Sequence, residues 1–434
     1  MSSASPDNAD SPDSPPADDD GTQKPSEGPS LLSRDFGGSL GAPQFTLTPT
    51  VEISGVYDSG LSGVVVGPGS TKNVAAFGMQ YSLGLRGVHS WRYTRLSLNY
   101  GGSTARYFGI GKNQNSSQSL SLGIVHTLNA HTTLNVNGAG SIYSRAFAQT
   151  GVSSGYVPAL DVSGNRASSF STQIALTIQK SARLSFSLAG NGGLSHQSSS
   201  VVYDVGSVGA VGDIEYRLGP RSTVGVSYTF SSYIYPGSTS STDYHNVSGN
   251  FAVTLSRRTQ VSFSACFLRA ESLYLEAFPT NPLLAYLTGA LETVVVNYHV
   301  SHHPSGGGRI MRSFSRGSAS LSGGYSVVPG NGLFLATVAT NVSGSCSYTG
   351  IRNWNLSAGG SYSVGKSIGT SLGRYGTMGG TFSVTRPLTR FTQAVMSFST
   401  TKYESAGVAY YNRLMYQVRI GLGFSPSGIS LGSR

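Results

Sequence analysis

Residues 134–142 read LNVNGAGSI: Leu134, Val136, Gly138, Gly140 and Ile142 take one phase, while Asn135, Asn137, Ala139 and Ser141 take the other. A period of two marks an extended strand with unlike faces, because successive side chains of a strand point to opposite sides of the sheet. The same beat sets Val224, Val226, Tyr228 and Phe230 against Thr223, Gly225, Ser227 and Thr229. It returns near the end as Leu414, Tyr416, Val418, Ile420, Leu422 and Phe424 against Met415, Gln417, Arg419 and Gly421. Repeated from Phe45 to Phe424, it describes strands with one apolar face and one face of Ser, Thr, Asn and Gly. The pattern predicts an all-β fold, a closed antiparallel transmembrane β-barrel with lipid outside and a wet interior.

Composition points the same way. Of 434 residues 11% are charged and 38% apolar, with 57 Gly, 24 Tyr and 18 Phe, whereas a globular domain holds about 25% charged and about 45–50% apolar residues. A soluble sandwich of this length would need a charged exterior and would divide into several domains. Membrane-spanning helices are excluded, because no window approaches about 18 consecutive apolar residues and mean hydropathy is only -0.07.

Three segments are expected: an acidic, disordered head over 1–44 rich in Ser, Pro and Asp, a transmembrane barrel over 45–425, and a short tail over 426–434. The head holds eight acidic residues, among them Asp18, Asp19 and Asp20, against Lys24 and Arg34, a net of −6. The remainder carries 27 basic and 11 acidic residues, a net of +16. MSSASPDNAD has neither the basic start nor the apolar stretch of a signal peptide. For an exported protein the expectation is a trimmed mature form or a start codon placed too far downstream.

Alternation and breaks together predict eighteen strands, the first at 45–58 and the last at 412–425, with sixteen as the next choice. Tight connections fall at 87–91 (GVHSW), Ala130, Ser181 and Ala182, 219–221 (GPR), Arg257 and Arg258, and Pro387 and Leu388. Longer joints, such as Thr150 to Arg166, lie between them. The least regular stretches are Glu271 to Gly289, expected as a loop, and His302 to Arg312, expected as a junction.

Over 45–425 the chain resembles bacterial outer-membrane β-barrel proteins, porins in particular. The likeness is architectural: short turns on one rim, longer loops on the other, and a final strand of Tyr416, Val418, Ile420, Leu422 and Phe424. The ten residues SPSGISLGSR that follow depart from the aromatic end usual in that class. The resemblance implies location in the bacterial outer membrane, short turns in the periplasm, an even strand number, and handling by the outer-membrane assembly machinery. It also implies the lipid bilayer and lipopolysaccharide as partners, and it leaves homo-oligomers open.

Tyr81, Trp91, Tyr143, Tyr216, Trp354 and Tyr416 are the leading candidates for aromatic girdles, where a ring sits in apolar matter and its polar tip in water. Pore-lining candidates are Arg86, Asp213, Glu215, Arg217 and Arg419. Excess positive charge on a pore wall would favour anions mildly. The alternative pairs these arginines with carboxylates or sets them on the periplasmic rim, with much of the positive charge on loops facing lipopolysaccharide. The apolar stretch ESLYLEAFPTNPLLAYLTGAL, Glu271 to Leu291, is the candidate constriction, through Tyr274, Phe278, Leu284 and Tyr286; an external packing loop is the alternative.

No catalytic residue is expected. The eight histidines are spread over the chain, and the densest group, His299, His302 and His303, lacks further metal ligands in sequence. Cys266 and Cys346 fit neither a disulfide framework nor a metal site. No cofactor is expected, since the Gly-rich stretches lack a phosphate-loop pattern, and dispersed basic residues argue against nucleic acid. The expected function is passive diffusion of small polar solutes through an outer-membrane channel. The alternatives are a structural or adhesive barrel with a plugged lumen, and a hydrolase at the rim.

Overall fold

The computed structural model describes residues 44–60, 75–108, 114–144, 166–198, 204–237, 240–279, 292–329, 336–367, 374–405, 413–426 and 429–432. The acidic head, save Gln44, lies outside them, as do Leu284 and Tyr286 of the candidate constriction.

Every described element is a strand or its connection. In chain order they are β1 Gln44–Asp58, β2 Ala76–Ser90, β3 Thr94–Tyr107, β4 Gln114–Asn129, β5 Thr132–Ser144, β6 Arg166–Gln179 and β7 Leu184–Gln197. There follow β8 Val205–Gly219, β9 Ser222–Ile234, β10 Ser241–Ser256, β11 Thr259–Pro279, β12 Glu292–Phe314 and β13 Gly317–Pro329. The last are β14 Ala336–Tyr348, β15 Asn355–Ser367, β16 Arg374–Pro387, β17 Thr392–Ser405, β18 Arg413–Phe424 and the short β19 Ile429–Gly432. Each strand from β1 to β18 pairs antiparallel with the next, and β18 returns to β1 through Phe424 opposite Val51 to Gln417 opposite Asp58. The eighteen-strand wall is therefore closed, leaving no free edge to spend backbone groups on lipid.

Phase is preserved around the ring. Ile53 faces Tyr81 and Leu422, Leu98 faces Leu122, Leu176 faces Leu188, and Phe382 faces Phe398. This outward phase is large and apolar, and Ile53, Leu83, Leu188, Val226, Phe263 and Ile420 are all exposed on it. Among the described residues its charges occur only near strand ends, as Arg106, Arg166, Asp243, Arg269, Glu271, Lys366, Arg374, Lys402 and Glu404 on the loop side and Arg312 and Arg386 on the turn side. An arginine or lysine at mid-height would cost about 2–4 kcal/mol in lipid.

Two aromatic groups mark the limits of the apolar band on β1 and its neighbours. On the turn side His89 lies 5.8 Å from Phe45 and 4.1 Å, edge-on, from Trp91. On the loop side Tyr57 lies 4.7 Å from Phe77 and 5.8 Å from Tyr416. From Phe45 to Tyr57 the strand runs about 40 Å, or about 30 Å along the axis at a tilt near 40°. That is the thickness of a bilayer's hydrocarbon core, about 30 Å.

The closure is tight. A Cβ on Gly421 of β18 would fall 2.5 Å from Ser54 Cβ of β1, so only glycine lets these two strands approach. Beyond Phe424 the tail is not loose chain. Past Ser425 and Pro426, β19 pairs with the start of β1, Ile429 with Leu47 through Gly432 with Gln44.

Three expectations need correction. GVHSW is not a turn: β2 runs on to Ser90, and the connection is Trp91 to Tyr93. The junction expected at His302 to Arg312 is continuous strand within β12. The loop expected from Glu271 is strand as far as Pro279, so Tyr274 and Phe278 belong to β11, opposite Asn297 and Thr293. One cause explains both of the last two. The β11–β12 hairpin outgrows the wall: β10 leaves β11 at Leu273, and β13 leaves β12 above Gly306. Pro304, which has no N–H to donate, sits where that second ladder stops.

Candidate functional site

The inward phase is a wall of hydroxyls. Serines face each other across neighbouring strands at hydrogen-bond distance: Ser103 and Ser117 (3.1 Å), Ser141 and Ser169 (2.7 Å), and Ser357 and Ser383 (2.6 Å). Between β13 and β14 they form a ladder, with Ser318 to Ser347 and Ser320 to Ser345 at 2.8 Å and Ser322 to Ser343 at 2.7 Å. Ser227 and Ser248 pair likewise. Each hydroxyl can donate once and accept twice, so a cross-strand bond leaves capacity for water or solute. This accounts for the Ser-rich alternation, a small hydroxyl at every second position on the inward face.

Charge on this phase is mixed. The carboxylates Glu52, Asp58, Asp213 and Glu215 share it with Arg86, Arg95, Arg217, Arg309 and Arg419. All five pore-lining candidates thus lie on the inward phase, yet they do not form one constellation. Arg419 and Glu52 meet at the closure, Nε to Oε1 3.7 Å, and Arg419 Nε also donates to Ser397 Oγ at 3.1 Å. Asp213 accepts from Ser187 at 2.9 Å. Arg217 turns to its own connection, donating to the carbonyls of Gly219 and Pro220 at 3.1 Å each. Asp58, which sequence reasoning passed over, is buried among Tyr107, Gln417 and the Gly60 N–H.

Toward the loop rim, inward-phase side chains become buried. One cluster joins Val56, Ala76, Ala105 and Tyr107; a second joins Tyr244, Leu268 and Ala270, with Tyr233 and Val327 against it. Around the second lie polar atoms without a hydrogen-bond partner: Thr242 Oγ1, Tyr244 OH, Asn246 Oδ1, Ser272 Oγ, Ser301 Oγ and His303 Nε2. Buried groups of this kind are ordinarily completed by water or a ligand.

Of the girdle candidates, Tyr81, Tyr216 and Tyr416 lie on the outward phase, opposite Ile53, Val224 and Thr400. Trp91 and Trp354 occupy short connections. Tyr143 is a correction: it pairs with Ser117 and so faces the lumen, because its neighbour Ile142 already takes the outward place. Arg92, Lys180, Arg183, Arg221, Arg257, Arg258, Arg316, Arg352 and Arg390 all sit in the short connections. Sequence reasoning missed this rim; its signal was the recurrence of a basic residue at nearly every tight turn.

The densest group of histidines in sequence is divided between the two phases. His299 and His303 take the inward phase of β12, while His302 takes the outward phase and stacks on Phe267. Among the described residues no three His, Cys, Asp or Glu side chains converge as metal ligands. Cys266 faces Ser248 on the inward phase and Cys346 faces Ala358 on the outward one, so the wall separates them.

No family model matches the chain, and no curated protein does. Among solved structures the chain is similar to the copper transporter OprC, at 10% identity over 88% of this chain and 66% of that one, with a TM-score of 0.46. It is similar to the open form of the ferric-catecholate import receptor Fiu of E. coli K12, at 10% identity over 86% and 81%, with a TM-score of 0.44. OccK5 (OpdH) of Pseudomonas aeruginosa gives 10% identity over 89% and 98%, with a TM-score of 0.45. The chain spans slightly less than two thirds of OprC's length.

Proposed function

We propose that this protein is a bacterial outer-membrane transport barrel working as a passive channel for small polar solutes. The observation that carries the reading is the contrast between the two phases of one closed wall: apolar outside, and inside a ladder of hydroxyls such as Ser318 to Ser347 and Ser322 to Ser343. A surface of that kind exchanges hydrogen bonds with a hydrated solute without gripping it, which is what a leak pathway needs. A mild anion preference accompanies it, from Arg95 and Arg309 on the inward phase, while Arg419 is offset by Glu52.

A second reading, a barrel closed to solute, draws on the buried inward side chains of the loop half, Val56, Tyr107, Tyr244 and Ala270. Planar-bilayer recording of the purified full chain separates the two. Stepwise conductance with a reversal potential biased toward anions supports the channel. Silence across repeated insertions, with barrel structure intact by circular dichroism, supports the closed form.

A further inference from the structure

Every hairpin connection on the short rim except that at Ala130 and His131 carries an arginine or lysine, and none carries a carboxylate. Three guanidinium groups on this rim lie over aromatic rings: Arg92 over Tyr93 at 5.0 Å, Arg312 over Phe314 at 5.3 Å and Arg386 over Trp354 at 5.1 Å. Arg312, Phe314 and Arg386 take the lipid-facing phase at strand ends, opposite Ala319, Gly317 and Ala394. All three arginines are exposed, and among the described residues none is paired with a carboxylate. On the opposite rim two outward cations do have acidic neighbours: Arg269 meets Glu271 at 2.8 Å and Lys402 meets Glu404 at 2.5 Å.

We propose that the short-turn rim is a collar that binds the phosphate groups of anionic glycerophospholipids, with Arg92, Arg312 and Arg386 as its phosphate-holding residues. A guanidinium lying on a ring keeps its N–H edge free, and that planar fork fits two phosphate oxygens at once. The ring beneath belongs at the boundary between acyl chains and headgroups. The occupant must carry negative charge at the depth where the apolar band ends, which describes a lipid headgroup better than a soluble anion. Short turns of outer-membrane barrels face the periplasm, and the lipid of that leaflet is glycerophospholipid rather than lipopolysaccharide. The proposal rests on the reading of the chain as a bilayer-spanning barrel, but not on its being open.

Native mass spectrometry of the detergent-purified full chain, titrated with phosphatidylglycerol, phosphatidylcholine or lipid A, tests it. Phosphatidylglycerol is expected to be retained several-fold over phosphatidylcholine. Substituting Arg92→Gln, Arg312→Gln and Arg386→Gln together abolishes that preference, while Lys366→Gln with Lys402→Gln on the other rim leaves it unchanged. Equal retention of the two phospholipids by the unaltered protein overturns the collar, whatever the variants do. So does an undiminished preference in a triple variant that keeps its β-sheet circular dichroism, and so does retention of lipid A over phosphatidylglycerol. Electrical silence together with a strong phosphatidylglycerol preference overturns the channel reading and upholds the collar.

Discussion

Arg419 of β18 and Glu52 of β1 face each other across the barrel closure, guanidinium Nε 3.7 Å from carboxylate Oε1, and that oxygen accepts no hydrogen bond. The contact is one of charge alone, between side chains that both remain partly open to the lumen. Unit charges about 4 Å apart interact by about 1 kcal/mol through water and more beside a protein wall. Removing one partner should therefore expose the other to permeating ions. Glu52→Gln is expected to raise the anion-to-cation permeability ratio a few-fold, and Arg419→Gln to lower it a few-fold. The double substitution should return close to the starting value. Reversal potentials in a salt gradient read all three, and shifts of the same sign in both single variants would refute the pairing.

The two phases of β18 can be weighed against each other directly. Ile420 is outward and strongly exposed; Gln417 is inward. Ile420→Arg is expected to destabilise the barrel in lipid by about 2–4 kcal/mol. Gln417→Arg should stay within about 1 kcal/mol, because the new charge would lie beside the Asp58 carboxylate that Gln417 already meets at 3.3 Å. Urea unfolding in lipid vesicles measures the difference, and equal losses at the two sites would mean that the faces have been assigned wrongly.

Cys266 and Cys346 provide a probe that needs no mutation. A charged, membrane-impermeant thiol reagent should modify Cys266 from the lumen and reduce conductance, whereas a lipid-soluble maleimide should label Cys346. The reverse pattern, read by peptide mapping, would turn the barrel inside out and end this account of it.

Acid should loosen the β7–β8 junction at one identifiable point. Asp204 lies in that connection, where burial alone would push its carboxyl up. The Gln197 N–H and the His196 ring, each at 2.8 Å, outweigh burial and hold it below its ordinary value of 3.8. A depressed carboxyl stabilises the fold fully above the unfolded value and loses that contribution as pH falls through the lower folded one. The Gln197 amide resonance in micelles is therefore expected to titrate with a midpoint below 3.8. In Asp204→Asn that step should vanish; a midpoint above 3.8, or an unchanged step in the variant, would contradict the contact.

Much of this molecule is legible in its sequence because a barrel wall repeats one rule. Val224 to Phe230 and Leu414 to Phe424 carry the period of two plainly, and the inward places of Arg86, Asp213, Glu215, Arg217 and Arg419 follow from it. The rule fails where pairing leaves the wall. In β11 and β12 the segments ESLYLEAFP and VVVNYHVSHHP stop alternating between apolar and polar, since beyond Leu273 and Gly306 they pair with each other alone. Tyr143 fails for a smaller reason: a tyrosine at a strand end suits either phase, and only its pairing with Ser117 decides between them. The basic rim was hidden by distance along the chain. Arg92, Arg312 and Arg386 become neighbours of one interface only after every second connection is brought to the same end.

The pairing of β19 with the first four residues of β1 also constrains how the ring can form. Gln44 to Leu47 must wait for Ile429 to Gly432, so the clasp cannot engage until nearly the whole β segment has been synthesised. Joining such distant partners adds little entropy beyond that of a shorter loop, since the cost grows only with the logarithm of length. What it costs is time, because contacts so far apart in sequence form late. Until then β1 and β18 are each left with one unsatisfied edge, and any helper that escorts this chain to its bilayer must shield those two strands above all others.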